Sequence, residues 1–418
     1  MADKRIYLCL AHMSESGLEQ KYIKEAFDTN WVVPLGPNVN GFEKDLETFV
    51  GQNKRVVALS AGTAAVHLGL QACGVGPGDE VCVQSFTFCA SSHPITYLGA
   101  TPVFIDSEKY TWNMDPELLE EAIKDRIAKT GKKPKAIVPV ALYGMPYKID
   151  KIMEIANRYD IPVVEDAAEG FGSRFNGQVL GTFGKYGVLS FNGNKMITTS
   201  GGGALITGSE DEWREIMMYA TQYRESYPYY QHEKIGYNYR LSNICAGIGR
   251  GQMTVANEHI SHHKHVQKLY EELLKDVKGI TVHAQPATGE YDSNYWLCTI
   301  ILDPDLKIKG QENAYKTFVK GAVGGAAGVI HMAESTITDC QPNDNVEALR
   351  VFMDSSGIEA RPVWKPMHKQ PVYKGAPAYI NGFSELVFKE GMCLPSGPCV
   401  KDEDVRYIVN TIKAAITD

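Results

Sequence analysis

Residues 161–166 read Ile-Pro-Val-Val-Glu-Asp, an apolar run that ends in two acids. A short run of this kind predicts a strand that is buried on both faces. Similar runs come earlier in the chain, and segments with helical spacing separate them. This alternation predicts an α/β fold in which helices cover both faces of a mostly parallel sheet. The strands expected besides 161–164 are 56–59, 80–83, 102–105 and 136–140, and the clearest helices are 116–129 and 149–159.

The pattern changes near His259, where a long charged helix begins. We therefore predict a large domain over residues 1–258 and a smaller α+β domain over residues 259–418. The elements expected in the second domain are a helix at 257–274, a strand at 299–302, a Gly/Ala-rich stretch at 321–328, a helix at 346–354 and an extended segment at 361–364.

Composition excludes several classes of protein. The net charge of −8 over 418 residues gives no sign of a nucleic-acid or anionic-membrane partner. Nine scattered cysteines without a C-x-x-C pair favour free thiols in a reducing compartment. Residues 81–105 lack charged side chains, but Gln84 and Pro94 are costly in lipid, so a buried strand–turn–helix is favoured over a membrane span. We expect a cytoplasmic protein.

Four histidines lie close together in the predicted helix at 257–274, at positions 259, 262, 263 and 265. Their spacing resembles that of a metal site, but no H-E-x-x-H pattern is present and no acidic or cysteine ligand lies at matching spacing. The sequence therefore predicts a solvated helix face and no metal.

Lys195 ends the segment Ser-Phe-Asn-Gly-Asn-Lys of residues 190–195, and three glycines follow at 201–203. A lysine amine can form a Schiff base, and a carboxylate such as Asp166 can keep a pyridine nitrogen protonated. Taken alone, Asp166 could cap a helix and Lys195 could be an exposed loop residue. Together, in a setting of small and apolar residues, they favour a site for pyridoxal phosphate.

A third segment, Ser-Ala-Gly-Thr-Ala-Ala at residues 60–65, follows a predicted strand and opens a helix. Small residues allow the backbone to approach an anion, and first-turn N–H groups point at it. A simple helix start is the alternative. Ligands of parallel sheets gather at the carboxyl ends of strands, where both this turn and Asp166 are expected.

These segments resemble the DegT/StrS-type nucleotide-sugar aminotransferases of the fold type I (aspartate aminotransferase) superfamily. The resemblance is closest to bacterial transaminases that aminate C4 of UDP-4-keto-6-deoxy-N-acetylglucosamine on the route to bacillosamine. The matching stretches are 31–36, 60–68, 85–90, 164–172, 181–203, 236–243, 359–368 and 393–397.

The resemblance implies roles for particular residues. Lys195 and Asp166 would be catalytic, with Lys195 forming the Schiff base and Asp166 pairing with the pyridinium nitrogen of pyridoxal phosphate. Glu169 stands where the family commonly has Gln, near the 3-hydroxyl of the cofactor, a substitution associated with the bacillosamine-like subgroup. The other expected cofactor contacts are Gly62, Thr63, Ala64, Phe88, Ser190 and, from a neighbouring subunit, Asn238. The site would therefore be shared in a homodimer.

The implied reaction is ping-pong transfer of an amino group from L-glutamate to a UDP-linked keto sugar, through pyridoxamine phosphate. Alternatives are another keto sugar nucleotide, such as a GDP-perosamine-type or 3-keto sugar, and a non-catalytic regulatory protein that binds pyridoxal phosphate. The expected substrate contacts are His12, Pro34, Arg224, Trp364 and His368, among which a guanidinium suits a diphosphate.

Overall fold

The computed structural model describes residues 5–315 and 340–417. The strands are β1 (Arg55–Leu59), β2 (Glu80–Gln84), β3 (Thr101–Ile105), β4 (Ala136–Val138), β5 (Val164–Asp166), β6 (Arg174–Phe175), β7 (Gln178–Val179), β8 (Tyr186–Ser190), β9 (Gly203–Thr207), β10 (Ile280–Val282), β11 (Tyr291–Asp292), β12 (Cys298–Leu302), β13 (Arg361–Pro362), β14 (Ala378–Tyr379) and β15 (Gly391–Leu394).

The α-helices alternate with these strands through the first half of the chain. They are α1 (Leu18–Asp28), α2 (Pro37–Val50), α3 (Gly62–Ala72), α4 (His93–Tyr97), α5 (Pro116–Thr130), α6 (Ile149–Tyr159), α7 (Glu210–Ala220), α8 (Asn243–Met253), α9 (Ala256–Leu274), α10 (Asp344–Ser355), α11 (Phe383–Glu390) and α12 (Asp402–Ala415). Asp115 shows why such a helix starts where it does, since its side chain accepts hydrogen bonds from the backbone of Glu117 and Leu118 at the start of α5.

Two four-stranded sheets lie edge to edge at the centre of the fold. Their strand orders are β1-β9-β8-β5 and β14-β3-β2-β4. Isolated parallel bridges between Ile137 and Val163, and between Val140 and Asp166, join β4 to β5 across the two sheets. Most neighbours are parallel, whereas β9 is antiparallel to both β1 and β8. The predicted α/β class is confirmed, and the predicted strands 56–59, 80–83, 102–105 and 136–140 correspond to β1–β4. The predicted strand 161–164 was placed too early, since β5 begins at Val164, and β8, β9 and β14 are additions.

The carboxyl-terminal part contains a separate antiparallel sheet with strand order β10-β12-β15-β13. Helices α9, α10 and α12 bury apolar side chains against it, including Tyr270, Leu349 and Ile408. This burial stabilises the sheet because each large apolar side chain removed from water contributes about 1.5–3 kcal/mol. The predicted boundary after residue 258 falls inside α9, and the division into two domains stays a prediction. The Gly/Ala-rich stretch 321–328 lies outside the described residues.

The prediction of a solvated histidine face on α9 was wrong for two of the four histidines. His259 and His263 are buried because this side of α9 packs on the protein interior, and their Nδ1 atoms contact the carbonyl oxygens of Met196 and Tyr295. Burial lowers the pKa of His263 to about 3, so its ring is neutral. His265 is exposed and pairs with Asp402. Within residues 5–315 and 340–417, no cluster of three or more histidine, cysteine or acidic side chains could hold a metal.

None of the helices in the described ranges has both the length and the apolar character needed to cross a membrane. Residues 81–105, which raised that question in the sequence, instead form β2, α4 and β3 and the turns between them.

Candidate active site

Strand register brings three distant segments to one edge of the central sheet. Leu59 at the end of β1 pairs with Gly203, and Gly203 also pairs with Ser190 at the end of β8. Asp166 ends β5 and pairs with Val188 in β8. Because β1, β5 and β8 run in the same direction, their carboxyl ends open on the same side, where sheets of this kind bind ligands.

A cavity of about 340 Å³ lies at this edge. Its volume is within the range of roughly 300–1,000 Å³ that is usual for small-molecule sites. The predicted site residues that line it are Gly62, Thr63, Phe88, Asp166, Glu169, Ser190, Lys195 and Trp364. Segments separated by more than a hundred residues in the chain therefore meet around one space.

The first turn of α3 forms one end of the cavity. Ala61 precedes this helix, and no side chain caps its N-terminal N–H groups. Glycines allow the close packing here, since a Cβ at Gly62 would lie 3.0 Å from Cβ of Ser190, and one at Gly203 only 2.4 Å from N of Gly62. Uncapped N–H groups at a helix N-terminus, with the Ser190 hydroxyl beside them, suit a phosphate group.

Asp166 lies in the wall of the cavity and is almost fully buried. Its carboxylate accepts hydrogen bonds from Oγ of Ser91 at 2.6 Å and from N of Ala168 at 3.1 Å. Burial raises the pKa of Asp166, and the Ser91 hydrogen bond opposes that shift. A cation in the cavity would favour the charged carboxylate. Asp166 is therefore suited to face a protonated ring nitrogen.

Glu165, the other acid of the run, points away from this site. Successive side chains of a strand alternate between its two faces. Glu165 Oε2 accepts hydrogen bonds from N of Phe183 and N of Gly184, at 3.1 and 3.4 Å. Burial raises the pKa of Glu165 to about 7. The strand thus delivers only the second of its two acids to the cavity.

Lys195 extends into the cavity and pairs with Glu169, with 3.3 Å between Nζ and Oε1. The second carboxylate oxygen of Glu169 accepts a hydrogen bond from N of Tyr143 at 2.7 Å. Burial raises the pKa of Glu169, and the charge of Lys195 opposes that shift. Lys195 and Glu169 therefore lie together on the cavity wall as an ion pair, where both can contact a bound ligand.

Glu169→Gln is expected to change how the stability of the protein without cofactor depends on pH. Because the pKa of Glu169 is raised above its ordinary value of 4.5, the folded state binds more protons than the unfolded state between those two pKa values. The wild type should therefore lose stability relative to Glu169→Gln as pH rises through this window. Chemical unfolding at a series of pH values measures the difference.

The control for this measurement is Glu121→Gln, which removes a carboxylate from the exposed side of α5. A stability difference between wild type and Glu169→Gln that stays constant with pH, or grows in favour of the wild type, would contradict the raised pKa.

Other predicted site residues do not line the cavity of this chain. Ala64 is buried within α3, and Asn238, His12, Pro34 and Arg224 are exposed elsewhere. His368 uses both ring nitrogens inside the protein: Nδ1 bonds Oγ of Ser85 at 2.7 Å, and Nε2 lies 3.1 Å from Oε1 of Glu385. The substrate roles of these residues stay predictions.

Trp296, Tyr143 and Ser91 belong to the site, yet no sequence motif indicated them. Lys195 Nζ lies 3.9 Å from the centre of the Trp296 ring, and Trp296 also lines the cavity. Tyr143 contacts Glu169, and Ser91 contacts Asp166, as described above. Ser91 follows directly after the matching stretch 85–90, which was the one available signal for it.

The residues present fit pyridoxal phosphate. The cavity offers an amine, a buried acid at the end of β5, an exposed aromatic face at Phe88 and an uncapped helix N-terminus. These are the groups needed to bond an aldehyde, pair with a pyridinium, stack on a ring and bind a phosphate.

Known proteins are similar to this chain over nearly its whole length. The model of the DegT/DnrJ/EryC1/StrS aminotransferase family matches residues 14–327 and 311–413. A protein of Bacillus subtilis (strain 168) named as a pyridoxal phosphate-dependent aminotransferase, EpsN, is 41% identical over 98% of this chain and 95% of its own length. A GDP-perosamine synthase of Escherichia coli O157:H7 is 31% identical over 99% of both chains. A crystal structure of a DegT/DnrJ/EryC1/StrS aminotransferase from Brucella abortus has a TM-score of 0.81 at 26% identity, covering 96% of this chain and 95% of that one.

Proposed function

Because the chain belongs to the DegT/DnrJ/EryC1/StrS aminotransferase family, we propose that it transfers an amino group from L-glutamate to C4 of UDP-4-keto-6-deoxy-N-acetylglucosamine. Family membership makes the chain a pyridoxal phosphate-dependent sugar aminotransferase. The alternative of a non-catalytic regulatory protein is therefore not supported.

The observation that carries the proposal is the convergence of Lys195, Asp166 and Glu169 in one cavity. The chemistry supplied by bound pyridoxal phosphate is an electron sink that lets an amino group move between donor and acceptor. Lys195 would bind the cofactor covalently and, once released, carry a proton to and from the reacting carbon. Asp166 would hold the ring nitrogen protonated, and Glu169 would hold the Lys195 amine and orient the ring.

The choice of a UDP-linked sugar rests on the resemblance to the bacillosamine-like subgroup, with which an acid at the position of Glu169, where the family commonly has Gln, is associated. A carboxylate and an amide differ in charge and in what they can donate, so this position changes the surroundings of the reacting amine. The second candidate is a GDP-linked 4-keto-6-deoxymannose. It is supported by the 31% identity to a GDP-perosamine synthase over nearly the whole chain.

A substrate panel tests the proposal. The purified holoenzyme, first converted by L-glutamate to its pyridoxamine form, is offered UDP- and GDP-linked 4-keto sugars and a 3-keto sugar nucleotide. Mass spectrometry then measures amine incorporation. We expect the UDP-4-keto-6-deoxy-N-acetyl sugar to react fastest. Faster amination of the GDP-linked sugar would replace the first candidate by the second.

A shared dimeric site is part of the proposal. Asn238 is exposed on this chain. Large apolar side chains are exposed in the segment before it, at Tyr230 and Ile235, and in the loop before α2, at Val32 and Leu35. Exposed apolar groups of this kind are typical of a protein–protein interface. Asn238 would then reach the phosphate end of the partner's cavity.

Arg224→Ala is expected to raise KM for the sugar nucleotide by about 10–100-fold, the cost of losing a charge-assisted hydrogen bond to a diphosphate. KM for L-glutamate should stay the same, because glutamate carries no diphosphate. Arg224 is exposed, with Cζ 5.0 Å from the centre of the Tyr230 ring, so its guanidinium is held near an aromatic face. Steady-state kinetics with each substrate varied in turn measures both constants.

Arg214→Ala is the matched control, since Arg214 is an exposed arginine of α7 that contacts only acids of its own helix in the described structure. An equal rise of both KM values in Arg224→Ala would remove Arg224 from nucleotide recognition.

A further inference from the structure

Trp296 contacts the reactive lysine from a distant part of the chain. Nζ of Lys195 lies 3.9 Å from the centre of its ring, and the Trp296 side chain is almost completely buried. A cation over the face of a tryptophan is attracted by the ring's electron density, most strongly where water is excluded. We propose that Trp296 is a positioning residue for Lys195. This inference rests on the function proposed above for Lys195.

A second contact from the same side chain fixes the backbone that carries the lysine. Nε1 of Trp296 donates a hydrogen bond to the carbonyl oxygen of Asn194 at 2.7 Å. Trp296 therefore holds Lys195 at both ends, at the peptide that precedes it and at its amine. A lysine side chain has four rotatable bonds and loses rotamer entropy when fixed, so these two contacts restrict it substantially.

Trp296 is itself tied to the loop that carries Glu169. Its backbone N donates to Oδ1 of Asn294 at 2.8 Å. Nδ2 of Asn294 donates to the carbonyl oxygens of Glu169 and Phe171, both at 2.9 Å. The lysine loop and the acid loop are thus joined through Trp296 and Asn294. This link keeps Lys195 Nζ and Glu169 Oε1 at their 3.3 Å separation.

The proposed reaction makes two demands on Lys195. Its Nζ must join the aldehyde carbon of pyridoxal phosphate, forming a C=N bond with loss of one water. After release, the same nitrogen must carry a proton to a neighbouring carbon. In each step the amine must lie within contact distance of the carbon that receives its bond or its proton. A misplacement of about 1 Å can slow such a step by on the order of 10²-fold. Trp296 acts on these steps through Lys195.

The experiment distinguishes an effect of Trp296 on the position of the Lys195 amine from an effect on the shape of the cavity. Protein without cofactor is mixed with pyridoxal phosphate, and the rate of covalent joining to Lys195 is followed by absorbance and by borohydride trapping. Affinity for pyridoxamine phosphate, which makes no covalent bond with Lys195, is measured in parallel. For Trp296→Leu we expect joining to slow by on the order of 10²-fold, with the pyridoxamine phosphate Kd changing by less than about 3-fold.

Trp296→Phe keeps a ring face and loses the N–H group, so its effect should be smaller, about 10-fold on joining. It also provides the test if Trp296→Leu does not fold. Trp213→Phe is the matched control. Trp213 makes the same two kinds of contact elsewhere, from Nε1 to the carbonyl oxygen of Val56 at 3.1 Å and from its ring to Cζ of Arg55 at 4.5 Å.

Two results would overturn the inference. Equal losses in joining rate and in pyridoxamine phosphate affinity would make Trp296 a structural residue of the cavity wall. Unchanged joining in both Trp296 variants would mean that the contact has no role in placing the amine. Lys195→Ala serves as the separate check of the proposed function: trapped product at the wild-type rate in that variant would overturn the role of Lys195 and, with it, the inference, whereas the two results above overturn the inference alone.

Discussion

Lys195→Ala is expected to lower kcat for amine transfer by ~10⁴-fold or more, the upper end of the range for loss of a proton-transferring group. The variant loses both the covalent attachment and the base that moves the proton. Its fold should survive, because Lys195 is held by one ion pair and one ring contact, and the core beneath it is apolar. Steady-state turnover and thermal unfolding measure the two parts of this prediction.

Lys185→Ala is the matched control, since Lys185 is an exposed lysine ten residues earlier. Multiple turnovers retained by Lys195→Ala would remove this residue from its proposed role.

A mixing experiment extends this prediction to the proposed dimer. If Asn238 completes the partner's site, a mixed dimer of Lys195→Ala and Asn238→Ala has one site with both changes and one with neither. Random reassociation of two inactive variants should therefore restore roughly one quarter of the wild-type sites. Activity that stays at the sum of the separate variants would contradict a site shared in this way.

Asp166→Asn is expected to lower kcat by about 10²–10⁴-fold, because an amide cannot keep the facing ring nitrogen protonated. The substitution is nearly isosteric, and Oδ1 of an asparagine can still accept the hydrogen bond from Ser91 or from N of Ala168. Cofactor affinity should therefore fall much less than kcat. The half-reaction with L-glutamate, followed by rapid-mixing absorbance, isolates the affected step.

Ser91→Ala provides a graded comparison for Asp166. It removes the 2.6 Å hydrogen bond that stabilises the charged form of the acid, and it leaves the acid in place. Its effect on kcat should have the same sign and be smaller, about 10-fold. An Asp166→Asn variant with wild-type kcat would show that no protonated nitrogen is held at this position.

The class of fold was predictable because its signal is local. The apolar run at 161–164 indicated a buried strand, which the structure places slightly later as β5, and helical spacing in 149–159 marks α6 to the residue. Strands β8 and β9 were missed. They lie beside the glycine-rich lysine segment, whose functional residues interrupt the apolar pattern from which strands are inferred.

The candidate site was predictable where a residue type and its position after a predicted strand carry the chemistry, as for Asp166 and the turn at 60–63. Lys195 was predicted from its residue type and the small residues around it, because the strand before it was missed. The histidines of α9 show the opposite case. Their spacing along the helix says nothing about what packs on it, and burial of His259 and His263 depends on residues 196 and 295.

The sequence by itself determined that strands alternate with helices and that Asp166 and the turn at 60–63 follow strands, because these properties depend on neighbouring residues. Only the tertiary structure gave the reason that Asp166 and not Glu165 enters the cavity, since strand register and the two faces of the sheet settle the direction of each side chain. It also brought Trp296 to Lys195 across a hundred positions. Contacts between residues so far apart in the sequence depend on the packing of the whole chain, and no local sequence pattern predicts them.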